Sequence, residues 1–242
     1  LNEKEVKECL DKMGYNYSKG KVEIPSTRTD ILNEVDIIED IAIGYGYEKF
    51  TPEIPKISTI GKEDEKEIIK RKISEMLIGL NLLEVSNFHL TSKKEAYEKM
   101  GINDKEKQNK KSIVVKESKT DFNILRENLS HYLLKNLSEN IDSEYPQRIY
   151  EIGRVFECSD DIKENENLAV ALSPSNFTEL KQILEYFFKM IDTKFEINEP
   201  KNTPNHFIEG RTGEIKIEET IVGHIGEIHP KILSNFKIKM PV

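Results

Sequence analysis

Four carboxylates crowd one short stretch of this chain. Asp30, Asp36, Glu39 and Asp40 lie within Arg28-Thr-Asp-Ile-Leu-Asn-Glu-Val-Asp-Ile-Ile-Glu-Asp40. Asp36, Glu39 and Asp40 stand at i, i+3 and i+4, which makes them neighbours on a helix surface. Asp30 lies upstream, at the mouth of the same helix. At roughly 100° per residue, Ile31, Val35, Ile38 and Ala42 share one side. Asp36 and Asp40 share the other, with Glu39 at the border. Like charges in one sector repel unless a cation or a basic partner neutralises them. Hard oxygen donors of this kind suit Mg²⁺, which keeps several waters and takes only a few carboxylates. Spacing alone also fits a plainer role, a solvated acidic face with Asp30 as N-cap and the acids near the positive end of the helix dipole.

Both roles need a helix from about Asp30 to Ile43, stopped by Gly44 and Gly46. A helix over Glu3 to Met13 precedes it, with Val6, Leu10 and Met13 as its apolar stripe and Gly14 ending it. Lys21 to Pro25 alternates like a short strand. These pieces form a small helical module that buries little surface alone. The stretch from Pro52 to Gly61, rich in Pro, Gly, Ser and Thr, marks a boundary. Beyond it the pattern predicts a long helix over Glu63 to Leu80, a strand over Leu83 to Leu90 and a short helix over Ser92 to Met100. A strand over Ser112 to Val115 and a helix over Leu125 to Asn140 follow.

Arg148 to Cys158 reads as a strand in which Ile149, Glu151 and Gly153 point one way and Tyr150, Ile152 and Arg154 the other. An apolar strand over Leu168 to Leu172, a helix over Thr178 to Ile191, an antiparallel run between Phe207 and Ile228 and a helix over Pro230 to Phe236 complete the chain. Strands cluster, and uneven helices separate them. That predicts an α+β fold with an antiparallel sheet rather than regular βαβ units.

Composition bounds the class. With 242 residues, the chain suits one large domain or two modest ones. Charged residues at 33% and hydrophobic ones at 37% suit a globular protein. No run approaches the ~20 apolar residues of a membrane helix, and no signal peptide is visible. Cys9 and Cys158 are the only cysteines, too few for a disulfide framework or a zinc site, which suggests a reducing, cytoplasmic setting. The five histidines form no metal-binding pattern. The net charge of −8 argues against strong stand-alone nucleic-acid binding. Lys105 to Lys119 is locally basic, which leaves a tRNA contact there open beside plain solvation.

The words around the acidic helix point to a family. Ile24-Pro-Ser-Thr-Arg-Thr-Asp30, the acids, Ile43-Gly-Tyr-Gly-Tyr47 and Pro52-Glu-Ile-Pro55 follow one another. Together they resemble the second half of the B5 domain of phenylalanyl-tRNA synthetase beta subunits. Leu125-Arg-Glu-Asn-Leu129, Asn140, Arg148-Ile-Tyr-Glu-Ile-Gly-Arg-Val-Phe156 and Gly223-His-Ile-Gly-Glu-Ile-His-Pro230 resemble that family's catalytic-like module, in order. Two intervals, Thr91 to Asp121 and Cys158 to Phe207, resemble the archaeal and eukaryotic type. The resemblance implies part of a B5 winged-helix-like domain over 1–56 and a class II aminoacyl-tRNA-synthetase-like antiparallel sheet with flanking helices over 57–242. Leu1 in place of an initiator Met suggests an excised piece, and Pro241-Val242 suggests an incoming strand cut short.

The resemblance also implies what is absent. Active class II enzymes carry a Phe-Arg-x-Glu string whose Arg holds the ATP α-phosphate, and a late Arg that stacks on adenine. Here the corresponding strand reads Arg148-Ile-Tyr-Glu-Ile-Gly-Arg154. The late glycines lie in Gly223 to Pro230, followed by Lys231 but no Arg. The module is therefore expected to have kept the scaffold and lost the chemistry, with no catalytic residue of its own.

It would scaffold a catalytic alpha subunit, two of each chain, that binds ATP and attaches phenylalanine to tRNA(Phe). The family's Mg²⁺ ligands carry over to Asp30, Asp36, Glu39 and Asp40. Arg126, Glu151 and Arg154 are candidate interface residues. Of Glu151 and Arg154, on opposite faces of one strand, one is expected in a buried ion-pair network and the other toward a partner. The competing readings are a free-standing paralogue acting as a regulatory or nucleic-acid-binding module, and an adenylate-forming enzyme that brings Arg148, Arg154 and Arg211 to one phosphate pocket.

Overall fold

The computed structural model describes residues 1–56, 61–102, 112–158 and 161–242. The chain divides into two compact units, Leu1–Gly61 and Lys62–Val242. The basic stretch expected at Lys105 to Lys119 falls, over 105–111, outside the described residues. Among the described residues no helix is long and apolar enough to cross a membrane.

In the first unit, α1 spans Glu3–Lys12. Its start is closed reciprocally: the Asn2 side chain accepts from the Glu5 N–H, and the Glu5 carboxylate accepts from the Asn2 N–H. Strands β1 (Asn16–Ser18) and β2 (Lys21–Glu23) pair as a hairpin. Its turn residues Lys19 and Gly20 both have positive φ, the backbone that matches the strand twist.

Helix α2 spans Glu34–Tyr45 and ends at Gly46, whose φ is 101°. It starts four residues later than the acidic spacing suggests, because the Asp36 carboxylate accepts the N–H groups of Leu32 and Asn33 and fixes the first turn there. Asp30 lies in the preceding turn, so it is not the N-cap.

The two helices meet at Gly44. A Cβ there would lie 2.7 Å from the Cys9 carbonyl oxygen. Gly44 thus permits the crossing rather than stopping the helix. Asp40, one turn earlier on the same face, is buried. The apolar side of α2 is open, with Val35 69% and Ile38 61% exposed.

In the second unit, α3 (Glu65–Gly79) precedes short strands β3 (Leu83–Glu84), β4 (Leu90–Thr91) and β5 (Ile124–Leu125), and helix α4 (Ser130–Glu139). Strands β6 (Gln147–Cys158) and β7 (Ile162–Ser173) form a long antiparallel ladder, with β3 parallel to β6 on its other edge. After α5 (Phe177–Met190), strands β8 (Glu196–Asn198), β9 (Phe207–Ile217) and β10 (Thr220–Ile228) make a second antiparallel sheet in the order β10-β9-β8. Helix α6 (Pro230–Asn235) closes the unit. The architecture is mixed α+β.

β6 is buried on both faces, as its two apolar registers require. Ile149 joins Ala171, Leu133, Leu137, Ile232 and Phe236 in one core. Tyr150 joins Leu172, Leu77, Leu82, Phe187 and Phe188 in the other.

Several expected elements are shorter. The strand over Leu83 to Leu90 is interrupted where Asn87 turns to bond Glu151. The helix expected from Leu125 begins at Ser130, because Ile124 and Leu125 pair with Thr91 and Leu90. Ser112 to Val115 contributes only the isolated bridge of Val114 to Ile124. The short helix over Ser92 to Met100 is a single wide turn over Lys94–Glu98.

The Gly44 crossing is testable beside Gly79, whose added Cβ would meet nothing within 4 Å. Gly44→Ala is expected to cost about 1–3 kcal/mol. Gly79→Ala is expected to stabilise by about 0.4–1 kcal/mol. Urea unfolding followed by circular dichroism reads both.

Candidate functional site: an acidic cluster and a buried ion pair

The acidic cluster sits on the turn into α2 and the helix itself. Arg28 lies across it. Its Nη2 is 2.8 Å from Asp30 and its Nε is 2.9 Å from the same carboxylate. Its Nη1 is 2.7 Å from Asp40 Oδ2. The buried Tyr15 hydroxyl donates to that same oxygen. The guanidinium carbon lies 5.6 Å from the Tyr15 ring centroid, a cation–π placement.

The protonation tendencies follow. The hydrogen bond from Arg28 lowers the Asp30 pKa, and those from Leu32 and Asn33 lower that of Asp36. Burial first, and then the bond to Asp40, raise that of Tyr15. Glu39 stands exposed on α2.

The donor chemistry suits a hard cation, but this arrangement does not fit a resident Mg²⁺. A guanidinium already bridges Asp30 and Asp40, and Asp36 bonds the start of its own helix. Among the described residues no three His, Cys, Asp or Glu side chains converge to hold an ion.

The second cluster is on β6. Arg126 and Glu151, their side chains each 2% exposed, pair at 2.5 Å. Arg126 Nε also donates to the Arg154 carbonyl at 2.7 Å, and Nη1 to the Asn87 carbonyl at 3.2 Å. The Asn87 amide donates to the other Glu151 oxygen at 2.7 Å. Gly153, two residues along the same strand face, leaves the space the guanidinium fills. A Cβ there would overlap Arg126 Nη2.

Arg154 points to the opposite face. It is 49% exposed and bonded to Glu164 and Glu166 across the ladder, at 2.8 Å and 3.2 Å. Beside the buried pair, His131 Nε2 lies 3.1 Å from the Thr91 hydroxyl and Nδ1 3.3 Å from the Asn128 carboxamide oxygen. Burial, then the Arg126 charge, push its pKa down to about 3.

Tyr15, Arg28, Asn87 and His131 were not singled out by sequence reasoning. Arg28 carried a signal, since it opens the acidic string; the others carried none at short range.

A cavity of about 740 Å³ lies over the second unit's sheets, lined by Leu168 and Val170 of β7, Ile225 of β10 and Phe187 of α5. Among the described residues no Lys or Arg lines it. His206 does, and burial pushes its pKa down to about 4, so it is neutral at physiological pH. The three arginines offered for a phosphate pocket are each engaged by different carboxylates. Arg148 bonds Glu179 at 2.5 Å, Arg211 bonds Glu227 at 2.6 Å, and Arg154 bonds its two cross-strand partners. A transferring phosphoryl group needs fixed cations aimed at its oxygens, and among the described residues the cavity lining offers no Lys or Arg.

Two consequences are measurable. Glu151→Ala leaves a buried guanidinium without its counter-charge, and is expected to cost about 3–5 kcal/mol in urea unfolding. His131 is neutral in the folded state and titrates near 6.5 when unfolded. Its contribution is therefore fully present above 6.5 and is lost progressively as pH falls toward 3. In that window the unfolded chain binds a proton that the folded chain does not. The unfolding free energy of wild type should fall more steeply with acid than that of His131→Gln, by up to about 1.4 kcal/mol per pH unit.

Comparison with known proteins identifies the domains. The family model of the tRNA synthetase B5 domain matches residues 1–47, and that of the phenylalanyl tRNA synthetase beta chain CLM domain matches residues 51–242. The phenylalanine–tRNA ligase beta subunit of Archaeoglobus fulgidus is 38% identical over 249 residues, covering 100% of this chain and 44% of the relative. That of Pyrococcus furiosus is 35% identical over 254 residues, with 100% and 44% covered. That of Methanococcus aeolicus is 33% identical over 260 residues, with 100% and 46% covered. The chain thus spans less than half the length of these curated relatives. Among solved structures, Desulfitobacterium hafniense PylSc, a pyrrolysyl tRNA synthetase, aligns with a TM-score of 0.58 at 14% identity, covering 73% of this chain and 61% of that one. That likeness is one of fold.

Proposed function

The chain belongs to the phenylalanine–tRNA ligase beta-subunit family, and from that premise we propose that it is the non-catalytic scaffold of the ligase. In this reading a catalytic alpha subunit pairs with it, two of each, in the cytoplasm. That partner binds ATP, uses Mg²⁺ and attaches phenylalanine to tRNA(Phe). The observation that carries the reading is the cavity over the sheets. Among the described residues its lining holds no Lys or Arg, and burial keeps His206, one of its two histidines, neutral. The relatives described above lend no support to a free-standing regulatory or nucleic-acid-binding module.

The interface residues divide by position. Arg126 and Glu151 hold β6 in place from inside. Arg154, with Glu164 and Glu166, presents a half-exposed charged stripe on the other face. The stripe is the part offered to a partner, and the buried pair positions it.

The purified chain alone should catalyse no phenylalanine-dependent pyrophosphate exchange, whereas the complete beta subunit combined with its alpha chain should. Exchange by the isolated chain would overturn the reading.

A further inference from the structure

The acidic cluster of the first unit already contains a cation. Asp40 is buried, and a buried carboxylate needs a charged or hydrogen-bonding partner. It has two on one oxygen, Arg28 Nη1 and the Tyr15 hydroxyl. The same guanidinium grips Asp30 through Nε and Nη2. This is the fork for which arginine is suited and lysine is not.

The backbone sets the fork in place. The Arg28 N–H donates to the Pro25 carbonyl at 2.9 Å, so the turn from Pro25 aims the side chain back at α2. A tyrosine ring packs against the guanidinium. Mg²⁺ demands near-octahedral oxygen geometry, and Asp40 Oδ2 already accepts from two donors, Arg28 Nη1 and the Tyr15 hydroxyl. The guanidinium would also repel the ion. The two cations therefore compete for one pair of carboxylates.

We propose that Arg28 is the resident counter-cation of Asp30 and Asp40, and that a divalent ion reaches these carboxylates only by displacing its guanidinium. Removing that charge then converts a metal-independent turn into a metal-dependent one. This inference concerns the first unit's own residues and does not rest on the scaffold reading above.

The test compares the intact chain with Arg28→Gln, using Mn²⁺ as the probe. Binding is read by paramagnetic broadening of the amide resonances around Asp30 and Asp40. Thermal unfolding is read with Mg²⁺ or EDTA at matched ionic strength. The variant is expected to bind Mn²⁺ at these residues at least roughly tenfold more tightly than wild type. Its melting temperature should fall in EDTA and recover in Mg²⁺, while that of wild type moves with neither. Equal Mn²⁺ affinity in the two proteins, or a variant whose melting ignores Mg²⁺, overturns the proposal. Should Arg28→Gln fail to fold in EDTA, refolding in Mg²⁺ decides it: recovery supports the competition and failure overturns it.

Discussion

The buried pair of Arg126 and Glu151 is the constraint on which the second unit depends. Isolated, either charge would be costly inside a protein. Together they are tolerated because both Glu151 oxygens and the Arg126 Nε and Nη1 groups are hydrogen-bonded. Glu151 accepts from Asn87 as well as Arg126, and Arg126 donates to the carbonyls of Arg154 and Asn87. Arg126 also fixes its own backbone, giving its N–H to His89 and its carbonyl to Phe156. One side chain therefore ties the segment before α4, the segment after β3 and the middle of β6. Such a network is a weak source of net stability, but removing one member is expensive. Its effect is to set register, since Gly153 alone leaves room for the guanidinium.

That register explains why β6 is buried on both faces while carrying charge on both. Alternation sends Glu151 toward Arg126 and Arg154 toward Glu164 and Glu166. A one-residue slip would bury Arg154 without a counter-charge and expose Glu151. The apolar residues obey the same alternation, with Ile149 in one core and Tyr150 in the other. The scaffold reading of the unit follows from this economy of charge. Its arginines are committed to intramolecular partners that fix the sheet, and among the described residues the cavity lining holds no Lys or Arg.

How much of this was legible beforehand depends on range. The two faces of β6 could be read because alternation is a local property of a strand. The termini of α1 and α5 could be read from apolar spacing, with Gly14 marking the end of α1. The start of α2 was misjudged because acidic spacing is equally consistent with several first turns, and the one adopted is chosen by the Asp36 bonds to Leu32 and Asn33. Its buried side was not legible because periodicity shows that a helix has two faces, not which one meets a neighbour; Gly44 and Tyr15 decided that. Strands β1 and β8, three residues each, are too short for any period to register. Arg126 and Glu151 were both noticed, but their pairing spans 25 positions and needs Asn87, still farther away. No window along the chain contains that arrangement.

Asp30, Asp36, Glu39 and Asp40 show the same limit in electrostatic form. Spacing correctly says that such charges require compensation, because like charges on one turn repel. It does not say what compensates them. A bound ion, a guanidinium from the preceding turn and backbone N–H groups all satisfy the requirement, and they differ only in which partner is already tethered. A tethered cation has lost little additional freedom on pairing, whereas a divalent ion must shed part of a tightly held water shell. With Arg28 only two residues from Asp30, the intramolecular partner has the advantage in the isolated chain. A docking subunit that drew Arg28 away or added its own carboxylate would reverse the order.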